Sequence, residues 1–189
     1  DMTAGVLARM PEVLTMEQEP EDEDAMWKLL SEAIEEAAKR FVESRTVEGE
    51  SLKADLLGKL KAMEDMVACV EQRTPAIVAE YQARLEAKVK ELLGTSGIDE
   101  GRIVTEVTIF ADKVCVDEEI VRLKSHISHM ESDLVNGGGV GRKLDFLAQE
   151  MNREANTILS KANDLTISDK AIALKTEIEK IREQIQNIE

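Results

Sequence analysis

A chain of 189 residues suffices for one domain or two small ones, and its net charge of −15 argues against indiscriminate binding to polyanions. Aromatic residues make up 3% of the chain and hydrophobic residues 43%, which is typical of helices packed on helices. Cys69 and Cys115 share no short spacing, so neither a disulfide framework nor a cysteine metal site is expected, and a reducing cytoplasm is the default location. No apolar run approaches the roughly 18 residues of a membrane span.

The first part of the chain divides into a short segment and a helix. Residues 1–20 show no helical period and contain Pro11 and Pro20, so a short extended segment is expected there. The acidic run at 21–24 favours a helix N-terminus directly after it. The side of this helix that we expect to be buried consists of Met26, Leu29, Leu30, Ala33, Ala37, Phe41 and Val42.

A second apolar stripe follows at nearly heptad spacing. Gly49 either ends the first helix or lies within a longer one, because a helical pattern resumes at once. The stripe predicts an antiparallel or coiled-coil helix partner, and its members are Leu52, Leu56, Leu60, Met63, Val67 and Val70. Pro75 is expected to open or kink the next helix, which should end at Gly94.

The C-terminal half predicts four more helices. The first spans 99–111, and the second spans 117–135 with Asp117 as its candidate N-cap. A glycine-rich connector at 136–141 precedes a helix at 142–162, and the last helix begins near Asp169. The expected buried side of the last helix is Ile172, Ile178, Ile181, Ile185 and Ile188.

These elements together predict a mainly α fold, in which long antiparallel helices form a helical bundle or coiled-coil-like array. We expect residues 1–20 to be a linker or the tail of another domain, 21–98 to be a long helical arm, and 99–189 to be a C-terminal helical domain. Because the apolar stripes at 52–70 and 172–188 exceed what a thin array can hide, a homo-oligomer is expected as well.

The stretch "GRKLDFLAQEMNREANTILSKAND", residues 141–164, has an unusual polar side. Its apolar stripe is ordinary and consists of Leu144, Leu147, Met151, Ala155, Ile158 and Ala162. The opposite side carries poor helix formers at helical spacing, namely Asp145, Gln149, Asn152, Asn156 and Ser160. Two interpretations stay open: a buried polar network that fixes helix register between subunits, and a surface that contacts phosphates, riboses and base edges.

A second concentration of chemistry lies in "DEEIVRLKSHISH", residues 117–129. Glu119, Arg122 and His126 share one helix face. A carboxylate can hold a divalent cation, an arginine can clamp a phosphate, and a histidine can move protons near neutral pH. The alternative is a solvated stripe with one Glu–Arg pair.

These motifs resemble the YicC-like family of bacterial proteins. The segment 141–164, the C-terminal "ALKTEIEKIREQIQNIE" and the preceding "VDEEIVRLKSHI" match the family closely, and "RTPAIVAEYQARLEAKVKELL" matches it more loosely. The resemblance implies metal-dependent endoribonucleases that assemble as hexamers and act on single-stranded or structured RNA. It also implies an N-terminal domain with β-structure, of which residues 1–20 would be the tail.

From the resemblance, the expected function is that of a hydrolytic endoribonuclease. The expected partners are RNA and further copies of the same chain, and neither a membrane nor a small-molecule cofactor is expected. The expected catalytic residues are Glu118, Glu119 and His126. The expected ligands of a Mn²⁺ or Mg²⁺ ion are Glu118, Glu119, Asp145, Glu150 and Glu154. The expected RNA contacts are Arg122, Arg142, Lys143, Gln149, Asn152, Arg153, Asn156 and Lys161. The alternative is a non-catalytic RNA-binding adaptor or helical scaffold that recruits another nuclease.

Overall fold

The computed structural model describes residues 3–15, 22–93 and 100–188, and all secondary structure in these ranges is helical. The mainly α prediction is therefore confirmed. The six helices are α1 (Ala4–Leu7), α2 (Glu23–Leu93), α3 (Glu100–Val114), α4 (Asp117–Asn136), α5 (Gly141–Lys161) and α6 (Leu165–Ile185). None of these helices combines the length and the apolarity that crossing a bilayer requires.

The chain divides into two compact units, Asp1–Val47 and Glu48–Glu189. In the first unit, residues 4–7 form one helical turn, where an extended segment was expected. A single turn is too short to produce a recognisable helical period, which explains the difference. The expected buried stripe of this unit is also wrong, because all seven of its members are exposed. An amphipathic pattern shows which side of a helix can be buried, but it cannot show that the chain itself covers that side.

The second unit has one apolar core. The heptad-like stripe of α2 is confirmed, since Leu56, Leu60, Met63, Val67 and Val70 are buried and Leu52 packs against them. Their partners include Ile120, Leu123, Ile127 and Met130 of α4, Leu144, Met151 and Ile158 of α5, and Leu174, Ile178 and Ile181 of α6. These stripes are therefore buried within one chain, and they no longer argue for an oligomer.

α2 is longer than the sequence pattern indicated. It passes through Gly49 and also contains Pro75, so this proline does not open a new helix, and a kink at Pro75 stays a prediction. A proline removes only one backbone donor, and the tertiary contacts on both sides keep the helix continuous. Beyond it, the ring of Tyr81 stacks on that of Phe110 of α3 with centroids 3.8 Å apart. The expected end at Gly94 lies outside the described residues.

Two helix starts also differ from their expected positions. α4 begins at Asp117 itself, with Val116 as its N-cap, so Asp117 is the first helical residue and not the cap. α6 begins at Leu165, four residues before the expected start, because the Asp164 carboxylate accepts the backbone N–H of Ile167 at 3.1 Å.

The face of α6 also differs from the expected one. Ile172 is 53% exposed, while Ala171 and Leu174 are buried. Four of the five expected isoleucines do belong to the core, with Ile188 at its margin. The sequence pattern followed the large side chains, whereas the packing selects the helix face, and a small alanine fits closest to the neighbouring helix.

Arg73 of α2 connects that helix to the α5–α6 turn. Its guanidinium donates to Asp164 at 2.8 Å and to Glu80 at 2.6 Å. The hydrogen bond from Arg73 lowers the pKa of Asp164 below its ordinary value, with burial acting in the opposite direction. Asp164 thus serves both as the cap of α6 and as the carboxylate that pairs with α2.

We expect Asp164→Ala to lower the free energy of unfolding by about 0.5–2 kcal/mol from the lost cap alone. Because the carboxylate pKa is depressed in the folded state, its contribution is complete above its unfolded value, near 3.8, and is lost as the pH falls through the lower folded value. Urea unfolding between pH 7 and pH 2 measures this. Glu179→Ala, which removes an exposed carboxylate from the same helix, is the control. Equal stability losses for both variants would contradict the capping role.

Candidate functional site

The residues singled out by the sequence lie on α4 and α5. The connector of four residues, 137–140, makes these two helices antiparallel neighbours. Their facing polar side chains form three ion pairs along the line of contact, which we call the α4–α5 seam. Lys161 pairs with Glu119 at 2.7 Å, Arg122 with Glu154 at 3.6 Å, and Lys143 with Asp133 at 2.6 Å.

The carboxylates of the seam are deeply placed. The side chains of Glu119 and Glu154 are only 8% and 4% exposed. The Oε2 atom of Glu119 and the Oδ2 atom of Asp133 have no hydrogen-bond partner among the described protein atoms. Burying a carboxylate without a cation is costly, so Lys161 and Arg122 make the burial of these two glutamates tolerable.

Arg122 lies between two acidic residues. It pairs with Glu118 one helical turn away on α4 as well as with Glu154 of α5. Its side chain remains 51% exposed, and that of Glu118 is 70% exposed. The Glu118–Arg122 pair matches the pairing expected as the alternative, and the guanidinium is nonetheless accessible from solvent.

His126 is half-buried. It follows Glu119 by seven residues and precedes Asp133 by seven, and both of these residues pair with α5. Heptad spacing therefore places His126 on the face of α4 that forms the seam. Glu119, Arg122 and His126 do share that face, but Glu119 and Arg122 are already engaged by residues of α5.

A second group of the motif's polar side chains faces α6. Asp145 accepts a hydrogen bond from Gln149 at 2.7 Å and from Arg182 at 3.3 Å. Asn152 lines a shallow groove between α5 and α6 together with Lys175 and Glu179. The polar side of α5 is thus shared between two neighbouring helices of the same chain and the solvent.

The carboxylates expected to bind a metal ion do not come together. Among the described residues, no group of three or more His, Cys, Asp or Glu side chains is placed to hold one. Glu119 and Glu154 are bound to cations of the seam, Asp145 is engaged by Arg182, and Glu150 lies 3.8 Å from Arg153. The residues that the structure describes therefore do not form a complete metal site by themselves, and the metal requirement stays a prediction.

The third group forms the solvent-facing side of α5, which we call the outer stripe. It contains no acidic residue and consists of Arg142, Phe146, Gln149, Arg153, Asn156 and Ser160, all exposed. Phe146 was missed by the sequence analysis, although it is 59% exposed. Its position four residues after Arg142 and seven before Arg153 would have identified it, because that spacing returns to the same helix face.

Comparison with known proteins supports the family resemblance of the 141–164 motif. Residues 70–189 match the C-terminal region of YicC-like endoribonucleases, and residues 1–54 match the N-terminal region of the same proteins. The chain belongs to the YicC-like endoribonuclease family. Both regions of the family are therefore represented, and the N-terminal match extends beyond the 1–20 segment into α2.

Two relatives place the chain within the family. It is 41% identical over 190 residues to a probable endoribonuclease YicC of Clostridioides difficile, covering 100% of this chain and 65% of the relative. It is 35% identical over 174 residues to a probable endoribonuclease YicC of Haemophilus influenzae, covering 92% of this chain and 60% of the relative. The chain thus spans less than two thirds of the length of these curated relatives.

Substitutions at the Glu119–Lys161 pair test whether the seam stabilises the fold. Lys161→Met leaves a buried carboxylate without its cation and should destabilise the protein by up to about 3 kcal/mol, since Lys161 is itself partly exposed. Adding Glu119→Leu should restore most of the loss, because an apolar pair of similar volume needs no charge compensation. Chemical denaturation of the two variants measures both effects. A double variant as unstable as Lys161→Met would contradict the assignment.

Proposed function

We propose that this chain is part of an endoribonuclease that cleaves RNA phosphodiester bonds. The observation that carries the proposal is the 41% identity to a probable endoribonuclease YicC over the whole of this chain, which covers 65% of that relative. The acid-free outer stripe of α5 supports it, since guanidinium and amide groups suit phosphates and base edges. Such a stripe is unusual in an acidic protein. The segment 141–189 is nearly neutral, with nine acidic and eight basic residues, and therefore offers the most suitable surface for an anionic RNA.

The chemistry of phosphodiester cleavage requires an acid, a base and positive charge near the phosphate. His126 is the candidate for proton transfer, because it is half-buried beside a seam that also presents the exposed guanidinium of Arg122. Arg122 would then contact the phosphate and neutralise developing charge, while Glu118 and Glu154 hold its side chain in position.

The cytoplasmic location and the Mn²⁺ or Mg²⁺ requirement remain part of the proposal. A divalent ion would polarise the phosphate or activate water. The described carboxylates do not form a three-ligand group, so at most one or two of them would hold such an ion within this chain. Among the candidate ligands, Glu118 and Asp145 have the most exposed side chains, at 70% and 44%. The side chain of Glu150 is 28% exposed, and those of Glu119 and Glu154 are 8% and 4% exposed.

Homo-oligomer formation is also proposed, with a hexamer as the expected form. The heptad-like stripe of α2 does not support it, because that stripe is buried in the core. The support comes from the first unit, where large apolar side chains such as Trp27, Leu29, Phe41 and Val47 are at least 65% exposed. Apolar surface of this kind commonly marks association sites.

A non-catalytic RNA-binding adaptor is the second candidate function. One specific observation favours it: the seam engages Glu119, Glu154 and Arg122 in pairs within the chain. Residues that fix the register of two helices need no catalytic role. Under this alternative the outer stripe would still contact RNA, but another protein would cut it.

The first assay separates the two functions. We expect purified protein to cleave RNA, to lose cleavage on treatment with EDTA, and to regain it with Mn²⁺ or Mg²⁺. Glu118→Gln is the carboxylate variant to test, because the side chain of Glu118 is exposed and that of Glu119 is buried. A change at Glu118 should therefore disturb folding less than one at Glu119. Binding without cleavage under every metal condition would favour the adaptor, while cleavage in EDTA would retain the nuclease and remove the metal requirement.

The second assay concerns His126. If His126 transfers a proton, His126→Ala should slow cleavage by roughly 10²- to 10⁴-fold, while RNA affinity changes much less. Cleavage rate, RNA affinity and oligomer mass are measured on one preparation. His129→Ala, an exposed histidine three residues along the same helix, is the matched control. A His126 variant that stays assembled, binds RNA and cuts at the wild-type rate would remove His126 from the mechanism.

A further inference from the structure

We propose that Phe146 of α5 is a base-stacking residue that binds unpaired nucleotides of RNA. Phe146 is 59% exposed, whereas the other two aromatic residues of the second unit, Tyr81 and Phe110, stack on each other. It faces solvent on the side of α5 opposite to the buried Leu144, Met151 and Ile158. The proposal rests on RNA as the substrate class of the proposed function, and it adds the part of the RNA that the protein contacts.

The residues around Phe146 indicate which kind of ligand would bind there. Arg142 lies one turn before it on the outer stripe, and Gln149 and Arg153 follow one and two turns after it. The outer stripe has no carboxylate, and the two acidic residues at its borders are engaged, Asp145 by Gln149 and Arg182, and Glu150 by Arg153. An apolar ring with two arginines beside it is complementary to a nucleic acid, which offers a flat base next to a phosphate.

A second copy of this chain would be a poorer occupant of the same stripe. A symmetric contact between two copies through α5 would bring Arg142 and Arg153 of each copy close to those of the other, and like charges placed opposite one another disfavour such a contact. A symmetric contact places the same residues on both sides of an interface. The exposed ring in a cationic setting thus favours an anionic, aromatic ligand over a protein surface.

The strand type follows from the geometry of stacking. Bases in an A-form duplex are stacked on each other, and their faces are inaccessible to a side chain on a helix surface. A base in a loop, a bulge or a single strand exposes its face, and stacking of such a base on an aromatic ring tolerates any sequence. Phe146 therefore favours unpaired RNA, with Arg142 and Arg153 positioned for the adjacent phosphates.

Fluorescence anisotropy with a short single-stranded RNA of mixed sequence tests the proposal. Phe146→Ala should weaken binding by about 5- to 150-fold, the equivalent of roughly 1–3 kcal/mol for one stacked base. Phe146→Trp should bind at least as well as the wild type, and Phe146→Leu should weaken binding nearly as much as the alanine variant. Ile172→Ala, which removes an exposed apolar side chain from α6, is the control and should leave the affinity unchanged.

The salt dependence separates stacking from charge. Phe146→Ala should keep the slope of log K against log salt, whereas Arg142→Ala should reduce its magnitude by about 0.7 for one single-strand phosphate. Lys143→Ala removes the same charge one residue later, but the Lys143 ammonium is bound to Asp133 at 2.6 Å. Its effect on the slope should therefore be smaller than that of Arg142→Ala.

Three results would overturn the inference: wild-type affinity in a folded Phe146→Ala, full retention of affinity in Phe146→Leu, or a Phe146 variant that changes the oligomer mass. The last would identify the stripe as a protein interface. The proposed function fails separately. If the protein binds RNA through Phe146 but never cleaves, the nuclease proposal is wrong and the stacking role stands. If the protein cleaves RNA while the Phe146→Ala variant binds RNA with wild-type affinity, the stacking role is wrong and the nuclease proposal stands.

Discussion

The antiparallel packing of α4 against α5 is the contact on which the rest of the candidate site depends. A connector of four residues brings the two helices together, and the ion pairs Lys161–Glu119, Arg122–Glu154 and Lys143–Asp133 fix their register. A shift of one turn would separate each buried carboxylate from its cation, which is far more costly than the loss of an exposed pair. The register in turn places Arg122 and His126 at the edge of the seam and leaves the outer stripe of α5 exposed.

The seam also shows that the sides of one helix can have different surroundings. α5 carries its apolar residues toward the core, and the seam residues Lys143, Glu154 and Lys161 toward α4. The outer stripe, with its arginines, amides and phenylalanine, faces solvent. The use of Asn, Gln and Ser on the exposed side has a cost in helix propensity. That cost is offset by the large apolar contact of α5 with its neighbours, because tertiary packing supplies most of a helix's stability in a protein. A helix held in this way can present side chains chosen for binding.

The two units of the chain differ in how they treat apolar residues. The second unit has one apolar core, to which α2 to α6 contribute, and Arg73 and Asp164 tie the α5–α6 turn to α2. The first unit has the same density of apolar residues, but its described side chains are exposed. The second unit thus contains its own core, whereas the described apolar side chains of the first unit are exposed to solvent.

The sequence by itself determined that the protein is helical, which stripe of α5 is apolar, and which motif identifies the family. These follow from local periodicity, which depends only on neighbouring residues. The heptad-like stripe of α2 and the apolar side of α5 were predicted correctly for that reason. Local pattern could not show that Met26 to Val42 remain uncovered, that Pro75 lies inside a helix, or that Ile172 is exposed. Only the tertiary structure decided that Glu119, Arg122, Lys143 and Glu154 pair across α4 and α5, and that Phe146 faces solvent, because both depend on which helices meet and in what register.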